Sequence, residues 1–140
     1  MNLGWLIVLH AAATFAMLGL IWFVQLVHYP MLRRYERDGF SDIEEEHCNR
    51  TGFVAAPLML LEASTGMLLL FGGFDKSIFV WSLMILAMIW GSTFLLQVPC
   101  HRNLLGGWNS SAHRRLVRTN WLRTAGWTVR SLIIMFILVE

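Results

Sequence analysis

A chain of 140 residues that is 56% hydrophobic and only 14% charged is too apolar for an ordinary water-soluble domain and suits a small bundle of membrane helices. Its net charge of +2 reflects an uneven placement of arginines along the chain and gives no sign of a nucleic-acid partner. No low-complexity tract or linker interrupts residues 1–140, so the whole reads as one domain.

A hydrocarbon core of about 30 Å needs about 20 apolar residues per helix. The first helix is predicted over 3–29. No basic residue precedes it, and its apolar stretch is longer than the roughly 7–15 residues of a signal sequence, so it reads as a permanent span. It ends in Gln25-Leu-Val-His28-Tyr-Pro30. After the Gly39 break, Ser41-Asp-Ile-Glu44 has capping-box spacing, with Glu45 and Glu46 adding charge that a helix N-terminus favours. The second helix is therefore predicted over 42–73, entering through His47-Cys-Asn-Arg50-Thr51 and kinked at Pro57. A third, 78–100, ends in Gln97-Val-Pro99-Cys-His101. Gly106-Gly107 and Asn109-Ser110-Ser111 introduce a fourth, 111–139, which enters through Asn120-Trp-Leu-Arg123-Thr124. His113, in Ala-His-Arg-Arg, reads as a surface residue.

The expected fold class is all-α, an integral membrane four-helix bundle of two helical hairpins related as parallel repeats. Arg33, Arg34, Arg37 and Arg50 flank the first connection, and Arg102, Arg114, Arg115, Arg118 and Arg123 the third; the second carries only Lys76. The positive-inside rule then puts connections 30–51 and 101–120 in the cytoplasm and both termini outside, with helices two and four extended into the cytoplasm. Cys48 and Cys100 fall on that reducing side, where a disulfide is not expected.

At about 100° per residue, each helix carries one polar stripe: His10, Thr14, Gln25 and His28; His47, Thr51, Glu62 and Thr65; Thr93, Gln97 and His101; Asn120, Arg123, Thr124 and Arg130. In lipid such stripes turn inward, giving a polar bundle centre. Depth sorts them into two layers. Glu62 and Arg130 each lie about 15 Å from the outer end of their helices, where an ion pair is expected, with His10 in reach. That pair either fixes packing alone or forms a proton or substrate site.

The second layer holds Gln25, His28, His47, Gln97, His101, Asn120 and Arg123. Imidazoles from three helices are candidate ligands for a transition metal at His28, His47 and His101. Two facing histidines could instead hold haem iron, or all three simply meet headgroups and water. Trp5, Trp81, Trp108 and Trp121 sit near predicted interfaces; Trp22, Trp90 and Trp127 lie deeper, packing the core or lining a pocket for a flat apolar ligand.

Thr93 six residues ahead of Pro99, a polar loop, and Asn120-x-x-Arg123-Thr124 opening the last of four helices resemble the anthrone-oxygenase-like membrane proteins. The His28-Tyr29-Pro30 exit resembles their bacterial relatives. The chain differs from them at Gln97 and His101, where asparagine is commoner in that family. The resemblance implies a four-helix protein of the bacterial inner membrane. Oxidation of anthrones to anthraquinones by fungal members implies an oxidoreductase or oxygenase.

In that reading the partners are the lipid bilayer and a hydrophobic small-molecule substrate. His28, His47, His101, Asn120 and Arg123 are the candidate catalytic residues, and Gln25, Gln97, Trp90 and Trp127 orient or bind the substrate. The alternatives are a proton-relay or transport protein along Glu62, Arg130 and His10, which four helices allow only as an oligomer, and an accessory or lipid-binding scaffold.

Overall fold

The computed structural model describes residues 2–35, 38–74 and 77–140; Arg37 and Lys76, which enter the charge pattern above, lie outside the described residues. The described residues form four helices and no strand, each helix long and apolar enough to cross a membrane: α1 Leu3–Leu32, α2 Phe40–Phe71, α3 Ser77–Leu105 and α4 Ser110–Val139. The protein is an all-α bundle of membrane-spanning helices. Trp5, Phe53, Phe71, Leu95 and Val139 are among the large apolar side chains on its outside, as contact with lipid requires.

Pro30 and Pro99, expected to close α1 near residue 29 and α3 near residue 100, stop neither helix. A proline cannot donate to the carbonyl four residues back, and both helices accommodate this with a widened π turn just before it. The Tyr29 amide donates to the Val24 carbonyl and the Val98 amide to the Thr93 carbonyl, each five residues back. The wide turns, Val24–His28 and Thr93–Gln97, each begin six residues ahead of the proline (24 to 30, 93 to 99). This shared device marks the two hairpins as repeats. It also makes α1 (30 residues) and α3 (29) about as long as α2 (32) and α4 (30), so the overhang beyond about 20 residues is common to all four helices.

α2 begins at Phe40 behind Gly39, whose φ of 81° suits glycine, and runs unbroken through Pro57. The capping box does not form: no side chain caps this terminus among the described residues. Asn109 does cap α4, its side chain accepting from the Ser111 and Ala112 amides.

α1 packs along α2 and α3 along α4, with α1 against α4 joining the hairpins; α2 and α3 meet mainly near the end that bears the first and third connections, here called the basic end. Close approach is seen at several glycines, two of them within the spans. A Cβ on Gly66 would stand 2.7 Å from Leu83 Cδ2 and 3.2 Å from His10 Cε1, and one on Gly126 would stand 2.8 Å from Ile89 Cγ1. Three apolar clusters stack along the bundle: Leu6, Leu69, Phe79 and Ile134 near the termini, Met17, Ile21, Met59, Ile89 and Trp127 at the centre, and Tyr29, Leu32, Phe40, Leu104 and Leu116 at the basic end.

Candidate functional site

Two polar layers lie between these clusters. In the first, Arg130 and Glu62 meet, both fully buried. Glu62 Oε1 also accepts from Thr14 Oγ1 (2.7 Å), and Oε2 accepts from Trp127 Nε1 (3.0 Å). Arg130 Nε donates to the Ser82 carbonyl at 3.1 Å, and Nη2 donates to His10 Nε2 at 3.1 Å. His10 must therefore carry its proton on Nδ1, from which it donates to Thr65 Oγ1 at 3.0 Å. All four helices contribute, and both charges are matched and hydrogen-bonded, the condition under which lipid tolerates them. Trp127 acts here by bonding Glu62 and lies outside the cavity described below.

The second layer, at the basic end, centres on Glu44, which is 0% exposed. His101 Nδ1 donates to Glu44 Oε1 at 2.5 Å, the Cys48 thiol donates to the same oxygen at 3.7 Å, and Tyr29 Oη donates to His101 Nε2 at 3.2 Å. The His28 and His47 rings stack at 4.2 Å, with His47 and His101 centroids 5.4 Å apart and His47 Nδ1 bonded to Thr51 Oγ1. The three histidines do gather. Stacked rings, however, run their in-plane lone pairs side by side, so His28 and His47 do not aim at one ion, nor do they form the facing pair that axial haem ligation needs. The donor atoms of Glu44, Cys48 and His101 lie within 4.8 Å of one another.

Glu44 and Tyr29, both bonded to His101, belong to this layer although the sequence did not single them out for it. Glu44 passed for a capping residue because of its distance from Ser41. Its other spacing, Glu44-x-x-His47 with Cys48 following, puts a carboxylate, an imidazole and a thiol on one face of α2 and was the available signal. Tyr29 offered no such signal, since its hydroxyl meets His101 only across the bundle.

Other expectations are corrected. His113 is 5% exposed, not a surface residue; its Nε2 donates to the Tyr29 carbonyl at 2.9 Å and ties α4 to α1. Trp22 is 36% exposed rather than deep, bonding Thr128 across the α1–α4 seam. Gln25, Gln97 and Asn120 brace helices rather than line the cavity: Asn120 Nδ2 donates to Gln25 Oε1 (2.8 Å), Gln25 Nε2 to the Val117 carbonyl (3.2 Å) and Gln97 Nε2 to Thr119 Oγ1 (3.1 Å).

Between the basic end and the Gly66–Leu83 contact α2 and α3 stand apart, and a cavity of about 500 Å³ opens there. Ala56 and Leu60 of α2 and Phe94 of α3, all exposed within membrane-spanning helices, mark a mouth toward the hydrocarbon, and Arg102 and Leu105, also exposed, line it at the basic end. Met17, Ile21, Met59 and Trp90 line its body; Tyr29, Cys48, His101 and Arg123 line its polar end. The Arg123 guanidinium lies over the Trp127 ring, 5.5 Å from its centroid, and its buried Nε has no hydrogen-bond partner among the described residues. Neither Glu62, Arg130 nor His10 is among the lining residues, and the central apolar cluster stands between the two layers.

Compared with family models, curated proteins and solved structures, the chain matches none.

Proposed function

We propose that this protein is an integral membrane oxidoreductase, oxygenase-like in type, that draws a flat hydrophobic substrate sideways from the bilayer. The observation that carries the reading is the cavity: lipid-facing at its mouth, apolar along its body, and closed by Tyr29, His101 and Arg123. A substrate ring packs against Trp90, and its phenolic or enolic oxygen meets Arg123, whose unpartnered Nε–H and positive charge stabilise the oxyanion. The substrate proton passes to Tyr29 as the Tyr29 proton passes to His101 Nε2, and Glu44 holds the resulting imidazolium. The ionised substrate is then electron-rich enough for dioxygen to oxidise it; for an anthrone, one oxygen atom enters the ring and the other leaves as water.

The resemblance to anthrone-oxygenase-like proteins supports this reading and supplies its first test substrate. The positive-inside rule supports a cytoplasmic basic end. Oxygen uptake by the purified protein with an anthrone or a lipophilic phenol is expected, falling at least ~100-fold in Arg123→Gln, the range for loss of one oxyanion donor. Substrate bound with no oxygen consumed, or undiminished turnover in Arg123→Gln, would count against it. The alternative, a proton or transport path through Glu62 and Arg130, is disfavoured by the apolar cluster between that layer and the Glu44 layer.

A further inference from the structure

Among the unpartnered buried atoms of the basic-end layer are two of metal-ligating type. Glu44 hydrogen-bonds only through Oε1; its Oε2 is buried with no partner among the described residues. His28 Nε2 is buried in the same way. A buried carboxylate oxygen without a donor is costly, and a cation beside it removes that cost.

Glu44 and Cys48 stand one turn apart on α2, and His101 reaches them from α3, so three elements of ligand chemistry meet at one place. We propose that Glu44, Cys48 and His101 bind one zinc-type transition-metal dication at the polar end of the cavity. Their donor atoms, within 4.8 Å of one another, need only small shifts to surround an ion with bonds of about 2.0–2.3 Å. A carboxylate, a thiolate and a neutral imidazole cancel a dication's two charges, giving a neutral centre that a low-dielectric bundle tolerates. The mixed O, S and N donors select zinc, cobalt, iron or copper over the all-oxygen preferences of magnesium and calcium.

The ion takes the place of the His101 Nδ1 proton and the Cys48 thiol proton. His101 Nε2 then carries the ring proton and donates to the Tyr29 oxygen, an outer partner that fixes the ring. Cys48 and His101 both line the cavity, so the ion faces the bound substrate, while His28 Nε2 lies outside this group of three donors and would have to move closer to add a fourth bond. With the ion bound, His101 no longer accepts the Tyr29 proton. The centre rests on the oxidoreductase reading by replacing that relay with a Lewis acid at the same end of the cavity, yet it stands on these side chains whether or not a substrate follows.

The test is a titration of the full, chelator-treated protein in detergent with Co²⁺, read by thiolate-to-cobalt charge-transfer absorption. A band saturating at one equivalent per chain is expected, displaced by Zn²⁺, absent in Cys48→Ser and unchanged in Cys100→Ser. Glu44→Gln is expected to weaken binding at least ~tenfold. In the unsubstituted protein, Zn²⁺ should also slow alkylation of Cys48, a readout that needs no variant to fold. No band, a band that survives Cys48→Ser, or Cys48 alkylated at the same rate with and without Zn²⁺ overturns the proposal. Quenching of tryptophan fluorescence by a lipophilic phenol in the metal-free protein tests the cavity separately, so failure of the metal site and failure of the substrate reading show up in different measurements.

Discussion

The Glu62–Arg130 layer and the Glu44–His101 layer are made of the same parts, a fully buried carboxylate and basic side chains from other helices, and they are finished differently. Around Glu62 both carboxylate oxygens and the arginine have partners, drawn from all four helices, and none of the residues bonded in this network lines the cavity. Around Glu44 one carboxylate oxygen and one imidazole nitrogen are left without partners among the described residues, and the cavity ends there. A closed network holds a bundle together because every alternative arrangement loses hydrogen bonds. An open one keeps donors and acceptors ready for a ligand, at some cost in stability.

That contrast can be broken most forcefully at Arg130. Arg130→Met leaves Glu62 buried without its cation and is expected to cost about 3–5 kcal/mol, seen as a collapse of the thermal transition in detergent. The Glu62→Gln, Arg130→Met double variant should lose less than Arg130→Met alone. Singles that melt like the parent would show that the layer does not hold the bundle. Gly126→Ala comes next: with Ile89 Cγ1 at 2.8 Å from the new Cβ, overpacking of about 1–3 kcal/mol is expected by the same measurement.

A smaller effect separates the layers functionally. Tyr29→Phe removes one hydrogen bond, worth about 1 kcal/mol, but should sharply lower substrate oxidation while leaving the Arg130 layer intact. Equal turnover in Tyr29→Phe would remove Tyr29 from the proton route. Smallest of all, Trp22→Phe breaks a single exposed bond to Thr128 and should shift stability by about 0.6 kcal/mol with no change in activity.

Much of the bundle was legible from hydropathy and charge alone. Four spans follow from apolar length, and Glu62 and Arg130 were matched by depth because a charge in lipid needs a partner on another helix. The helix ends near Pro30 and Pro99 were misjudged because a proline reads as a stop, whereas a π turn carries the helix past it. Glu44 was misread for a related reason: local spacing to Ser41 suggested a cap, and only the approach of His101, 57 residues away in sequence, shows where the carboxylate points.

The sequence by itself thus determined the class of the protein, the number of spans and which side chains had to face inward, since these depend on the cost of placing polar groups in hydrocarbon. Only the tertiary structure decided which inward groups are mutually satisfied and which are left open beside a cavity. That division depends on how closely each pair of helices approaches: α1 with α2 and α3 with α4 pack along their length, while α2 and α3 touch at the basic end and at Gly66–Leu83 and leave room between those points.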